Sequence, residues 1–183
     1  MEPLIPDTSY HIFNHANGFE NVFRQPDNFR YFLEKYRLYI SHIAETYAYC
    51  LMPNHFHLVV RIRKHAAIEE LIRNKNKTTN SNNNNNNFSK VSNFGKVEIE
   101  KYLSKQFANL FSCYTQSFNK VYQRMGSLFI KNFKREPIHD KTHFLNAVIY
   151  THRNPIHHGF RIGYDEWEYC SYNEITDGIC DTV

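Results

Sequence analysis

The sequence predicts an α+β sandwich in which an antiparallel sheet carries helices packed on one face. Three observations point there. Short runs rich in aromatic and β-branched residues alternate with longer segments of helical periodicity. Two of the strand runs, 46–52 and 55–62, flank a Pro53-Asn54 turn signal and read as a hairpin. The resulting order, β-α-β-β-α-β-α, is that of a ferredoxin-like or RRM-like sandwich.

Each element has its own signature. SYHIFN (9–14) alternates, with Tyr10, Ile12 and Asn14 on one face and His11 and Phe13 on the other. Pro26-Asp27-Asn28 opens a helix, with Asp27 the candidate N-cap, and Phe29, Phe32, Leu33, Tyr36 and Ile40 follow at helical spacing. TYAYCLM and HFHLVVRI supply the hairpin strands. Ile68–Ile72 reads as helical, as does Ile99–Phe118, where Leu103, Phe107, Leu110, Phe111, Tyr114 and Phe118 recur at spacings of three and four. Gly126 is expected to close that helix, and SLFIKNFKREPI (127–138) to be extended. Asp140 is the expected N-cap of a last helix with an apolar stripe of Phe144, Leu145, Val148 and Ile149. Pro155 is expected to end it, because the residue before proline disfavours helical geometry.

The 183 residues fit a single domain. Within it, NKNKTTNSNNNNNNFSK has too little apolar surface to offset its ordering entropy, so 74–95 is expected to be a flexible Asn-rich loop. Trp167, Tyr169 and Tyr172 mark an aromatic strap over about 160–183. The formal charge of +4, with 11 histidines besides, permits a polyanionic partner without demanding one. The four cysteines form no CxxC pair, which argues against a zinc ribbon or a thioredoxin-type site. There is no signal-peptide pattern and no apolar window of membrane-spanning length, so a cytoplasmic protein in a reducing compartment is expected.

The chemistry concentrates in two places. In LMPNHFHLVV, His55 and His57 lie two apart on a strand, so both project to one face while Phe56, Leu58 and Val60 fill the other. Their Cβ atoms lie ~6–7 Å apart, close enough for two imidazoles to converge on one cation. A solvated histidine pair on a half-exposed strand satisfies the spacing equally well. A histidine-triad hydrolase pattern fails, because Val59 stands where a third histidine is needed. The second place is NAVIYTHRNPIHHG, where Tyr150 and Asn154 are four apart and share a helix face. Alone, such a tyrosine is usually a core residue with a satisfied hydroxyl. Beside a cation it becomes a nucleophile: a phenol of pKa ~10 can attack a phosphodiester whose developing charge is neutralised.

PNHFHLVV, YTQSFNKVYQRMGSLFIKNFKREPI, YTHRNPIHHGF and WEYCSY, in that order, resemble the REP-associated tyrosine transposases, members of the single-tyrosine HUH nuclease superfamily. Phe56 occupies the hydrophobic position between the histidines. The resemblance runs from about Tyr10 to Tyr172 and implies a ferredoxin-like enzyme that cleaves and rejoins single-stranded DNA near hairpins. It implies a metal pair in His55 and His57, an amide-type third ligand in Asn154, and Tyr150 as the nucleophile that takes the 5′ phosphate. The implied cofactor is Mg²⁺ or Mn²⁺, and imidazole ligands suit Mn²⁺ better. The implied partner is single-stranded or hairpin DNA, with no membrane, in a nucleoid-associated setting, and the chain would act as a monomer or homodimer.

Tyr114 and Tyr122 also lie within the matched motifs, with Tyr114 the alternative nucleophile; of the three, only Tyr150 has an amide four residues on and the proline stop. Arg124, Lys131, Lys134 and Arg135, interleaved with Phe129 and Phe133, are the expected DNA contacts, joined by Arg153. Arg61, Arg63, Lys64, His157 and His158 are weaker candidates. Two other readings remain at this point: a non-catalytic single-stranded nucleic-acid binding module, and a phosphoesterase that uses water.

Overall fold

A computed structural model describes residues 2–80 and 95–178. Strand β1 (Ser9–His15) leads through helix α1 (Pro26–Tyr39) into the hairpin of β2 (Ala44–Met52) and β3 (His55–Ile62). Helices α2 (His65–Asn80) and α3 (Lys96–Val121) follow, then β4 (Lys134–Ile138), α4 (Lys141–His157) and the short α5 (Tyr172–Thr176). The sheet is antiparallel throughout, in the order β2-β3-β1-β4. This is the expected α+β sandwich. Among the described residues no helix is long and apolar enough to cross a membrane.

The pleat divides the chemistry as the alternation predicts. Tyr10, Ile12, Phe56, Leu58, Val60 and Ile62 join Phe32, Tyr36, Leu103, Phe107 and Tyr114 in one buried core. Helices α1 and α3 pack against each other over that face, as expected, although α4 does not share it. Helix α4 crosses the other face, against β2 and β3, where Ala147, Phe144 and Val148 meet Ala48 and Val59. His11, His55 and His57 lie on this second face.

Several local expectations are corrected. Gln25, not Asp27, caps α1: Pro26 takes the first helical position, where its missing N–H costs nothing, and Asp27 falls in the first turn. The Asn28 side-chain oxygen then accepts the Arg24 and Gln25 N–H groups. Residues 74–80 continue α2 rather than opening a loop. Lys75 lies 5.6 Å from the Tyr102 ring of α3, and Glu69 pairs with Arg73 along the helix. The rest of the Asn-rich stretch, 81–94, lies outside the described residues. Helix α3 stops at Val121, before Gly126, as Gln123 turns to a positive φ of 51°.

Of the expected extended run 127–138 only 134–138 is strand. The preceding segment folds inward to bury Leu128, Phe129 and Phe133, turning at Asn132 with φ 64°. Asp140 does cap α4, accepting the His143 N–H at 2.8 Å. Pro155 does not end the helix. It sits in the final turn, where its missing N–H forfeits one bond, and Asn154 and Pro155 carbonyls still accept from His158 and Phe160. The buried stripe of α4 is also rotated: Leu145 and Ile149 are exposed, whereas Thr151, His152 and Asn154 are buried.

The aromatic strap adds backbone pairing to the edge of the sheet. Leu51 N–H donates to the Tyr169 carbonyl and Ser171 N–H to that of Tyr49, placing Cys170 opposite Cys50. Trp167 Nε1 donates to the Leu51 carbonyl at 2.9 Å, and Tyr169 stacks on Phe29 at 3.8 Å between centroids. Ser171 Oγ lies 2.9 Å from His152 Nε2, which ties the strap to α4.

Candidate active site

The site forms where the end of β3 passes beneath α4. His55 and His57 project from β3 side by side, their ring centroids 5.2 Å apart and their planes nearly perpendicular. Both are buried, His57 with 4% of its surface exposed. One turn of α4 carries the other two groups. Asn154 is buried, and its side-chain nitrogen donates to the Tyr150 carbonyl at 2.9 Å. That bond orients the amide, turning its oxygen to within 3.2 Å of His55 Nε2. The Tyr150 ring stands edge-on to His57 at 5.3 Å and is 48% exposed, so the phenol lies at the boundary between buried imidazoles and solvent. The structure therefore brings His55, His57, Asn154 and Tyr150 together.

Burial keeps these imidazoles neutral. His57 is pushed down to about 2, by desolvation first and then by the neighbouring histidines. Desolvation lowers His55 and His11 to about 4. A neutral ring carries one proton, and both nitrogens of His55 face amide oxygens, Nδ1 that of Asn54 at 2.7 Å and Nε2 that of Asn154 at 3.2 Å. The shorter contact is the better hydrogen bond, which favours the proton on Nδ1. Nε2 then presents a lone pair to the Asn154 oxygen, which presents another. Two lone pairs facing at that distance repel unless a cation lies between or beside them. The donor set, two neutral imidazoles and an amide oxygen, thus fits a divalent ion. Among the described residues no group of three His, Cys, Asp or Glu is arranged to hold a metal.

The other tyrosines are placed differently. Tyr114 is 1% exposed and donates its hydroxyl to the Val22 carbonyl at 2.6 Å, and burial raises its pKa. It is a core residue on the far face of the sheet and not a nucleophile. Tyr122 donates to Asn28 at 2.9 Å.

The expected DNA contacts divide. Arg124 is engaged in a two-pronged ion pair with Glu20, at 2.6 and 2.7 Å, and also donates to Asn119, Gly126 and Ser127. With its donors so occupied, it clamps the loop after α3. Phe129 and Phe133 are buried against Phe111, so they fill the core rather than meet bases. Lys131 and Lys134 are exposed, as is Arg153 on α4. Arg135 lies over the Phe133 ring at 4.5 Å and donates to Ser104; with Lys131 it lines an open groove of about 470 Å³ between α3 and the segment entering β4. Of the weaker candidates, Arg61 pairs with Asp7 and Arg63 donates to the Ser41 carbonyl, while the His158 ring lies 4.9 Å from that of His55.

Two site residues escape sequence reasoning. Asn54, read as a turn residue, orients His55. His11 of β1 has Nε2 2.9 Å from His57 Nδ1, and its ring is 5.8 Å from that of Tyr150. Alternation put His11 opposite the core face, but only the register, with His11 across from Val59 and Phe13 across from His57, sets it beside the pair.

Comparison with known proteins bears on the fold and the family. No curated protein matches the chain significantly. A solved structure of a REP-associated tyrosine transposase bound to a REP hairpin shares the fold, with a TM-score of 0.58 at 14% identity, over 100% of this chain and 89% of that one. Residues 5–106 match the family model of IS200-like transposases, a segment that includes the histidine pair and spans more than half of the sequence, and the chain belongs to that family.

Proposed function

We propose that this protein is a metal-dependent DNA strand transferase that cleaves and rejoins single-stranded hairpin DNA through a covalent phosphotyrosine at Tyr150. The observation that carries the reading is the single turn of α4 that places the Asn154 oxygen 3.2 Å from His55 Nε2 and the Tyr150 ring 5.3 Å from that of His57. Nucleophile and ligand set thus meet on one face. His55, His57 and Asn154 would hold the cation, which when bound supplies charge neutralisation at the scissile phosphate. Tyr150 Oη attacks the phosphorus, losing its proton as the new bond forms. The bond to the 3′ oxygen breaks, and that oxygen leaves as a 3′-OH after taking up a proton. Attack of a 3′-OH on the phosphotyrosine reverses these changes, restores the phenol and rejoins a strand. Hairpin DNA is the substrate class because the structurally similar transposase is bound to a REP hairpin. The exposed Lys131, Lys134 and Arg153 would track its phosphates.

The test is incubation with Mn²⁺ and labelled single-stranded hairpin DNA, followed by denaturing electrophoresis. A denaturation-resistant protein–DNA adduct is expected in the wild type and not in Tyr150→Phe. Absence from the wild type, or an undiminished adduct in the variant, overturns the mechanism. Turnover without any adduct would point to a phosphoesterase that uses water.

A further inference from the structure

His57 differs from its partner ligand in one respect. The Nδ1 of His55 faces the Asn54 amide oxygen, which can only accept, at 2.7 Å, shorter than the 3.2 Å from Nε2 to the Asn154 oxygen, so Asn54 favours the Nδ1-protonated tautomer. The Nδ1 of His57 faces another imidazole nitrogen, Nε2 of His11, at 2.9 Å. Either ring could supply the proton. Only one choice leaves His57 with a free lone pair at Nε2: His57 must donate from Nδ1 and His11 must accept.

We infer that His11 is a positioning residue that holds His57 in the Nδ1-protonated tautomer and so keeps its Nε2 ready to bind a cation. The inference rests on the reading of His55, His57 and Asn154 as ligands. Three features support it. His11 is buried, so no water competes readily for the contact. Its ring is held by Phe13, with centroids 5.0 Å apart, and Phe13 also stacks on His57 at 5.5 Å. Both ligand rings then use the same logic, with Nδ1 bonded to a protein acceptor and Nε2 left over, as metal-binding imidazoles generally do. His11 also stands edge-on to Tyr150, so it braces the ring nearest the nucleophile without ligating anything itself.

Two variants separate this role from simple packing. His11→Phe keeps a ring of similar shape but offers no acceptor. His11→Gln places an amide oxygen about where Nε2 stood. Binding of Mn²⁺ is measured by isothermal titration calorimetry on the DNA-free protein, with thermal unfolding of each metal-free variant to verify the fold. His11→Phe is expected to weaken Mn²⁺ binding about 10- to 100-fold, with His11→Gln close to wild type. Imidazole ¹⁵N shifts of metal-free wild type should place the His57 proton on Nδ1, and those of His11→Phe should move it to Nε2. Wild type that binds Mn²⁺ with His11→Phe binding equally well overturns the inference alone, as does a His57 proton found on Nε2 in the wild type. Equal weakening in His11→Phe and a folded His11→Gln overturns it too, since packing would then explain both. Wild type that binds no Mn²⁺ at all overturns the ligand reading and this inference with it.

Discussion

A reciprocal pair of tyrosine substitutions tests the assignment of roles most directly. Tyr150 and Tyr114 both lie on helices within motifs that resemble the family, and each can be changed to Phe with the loss of one oxygen. Their environments predict opposite outcomes. Tyr150 is 48% exposed, so losing its hydroxyl should change stability by no more than about 0.5 kcal/mol. Tyr114 is buried, and its hydroxyl satisfies the Val22 carbonyl at 2.6 Å. Removing it strands that carbonyl among apolar neighbours, at a cost of ~1–3 kcal/mol. For a chain of this size each kcal/mol lowers Tm by about 2–4 °C, so Tyr114→Phe should melt several degrees earlier. Below its Tm, Tyr114→Phe should still form the covalent DNA adduct, and Tyr150→Phe should form none at an unchanged Tm. The assays are differential scanning calorimetry and denaturing gels with labelled hairpin DNA. Adduct formation that survives in Tyr150→Phe and vanishes in a folded Tyr114→Phe would refute the reasoning.

Other expectations follow from the same geometry. Lys131→Ala, Lys134→Ala and Arg153→Ala should each weaken binding of single-stranded DNA and reduce the salt slope of log K by about 0.7, read by fluorescence anisotropy across a salt series; an unchanged slope would remove that residue from the interface. Arg124→Ala should instead cost about 2 kcal/mol in urea unfolding, by releasing Glu20 and the loop carbonyls, and leave the salt slope alone. The metal-free protein should lose stability on acidification. His11, His55 and His152 fall to about 4 on folding and His57 to about 2, against an ordinary 6.5. Below pH 6.5 the unfolded chain therefore takes up protons that the folded one refuses. The stabilising effect of keeping these rings neutral is complete above pH 6.5 and is lost as pH falls toward 4, and for His57 further toward 2, each group contributing at most about 1.4 kcal/mol per pH unit. A urea midpoint that stays flat from pH 7 to 4.5 would contradict it.

How much of this was legible in the sequence depends on the range of the interaction. The strand period separates His55 and His57 from Phe56 and Leu58 without any tertiary knowledge, and the helical period joins Tyr150 to Asn154. Those two local rules bring four residues of the candidate site into view. What they omit is non-local. His11 reaches His57 through the pairing of β1 with β3, and no feature of SYHIFN states that register. Arg124 reads as a free cation until Glu20, 104 positions away, is seen to hold it. The rotation of α4 is not legible locally: Leu145 and Ile149 are apolar, yet the helix turns toward the sheet the face that bears Asn154 and His152. A helix can leave apolar residues in solvent when its polar face packs inside. Pro155 stays inside the helix because the rule that proline ends a helix is weakest in the last turn, where only one hydrogen bond is at stake.

The strap has a consequence for assembly. A sheet of four strands has two open sides, each a row of unpaired backbone groups that invites another chain to add a strand. Here the Tyr49–Leu51 stretch of the β2 side is paired with the protein's own Tyr169–Ser171 backbone. The β4 side is only five residues long and carries Lys134 and Pro137, a cation and a residue with no N–H to offer. Both flanks are thus poor templates for strand addition. Among the described residues, a sheet fused between two copies of this chain is therefore the arrangement that these edges disfavour.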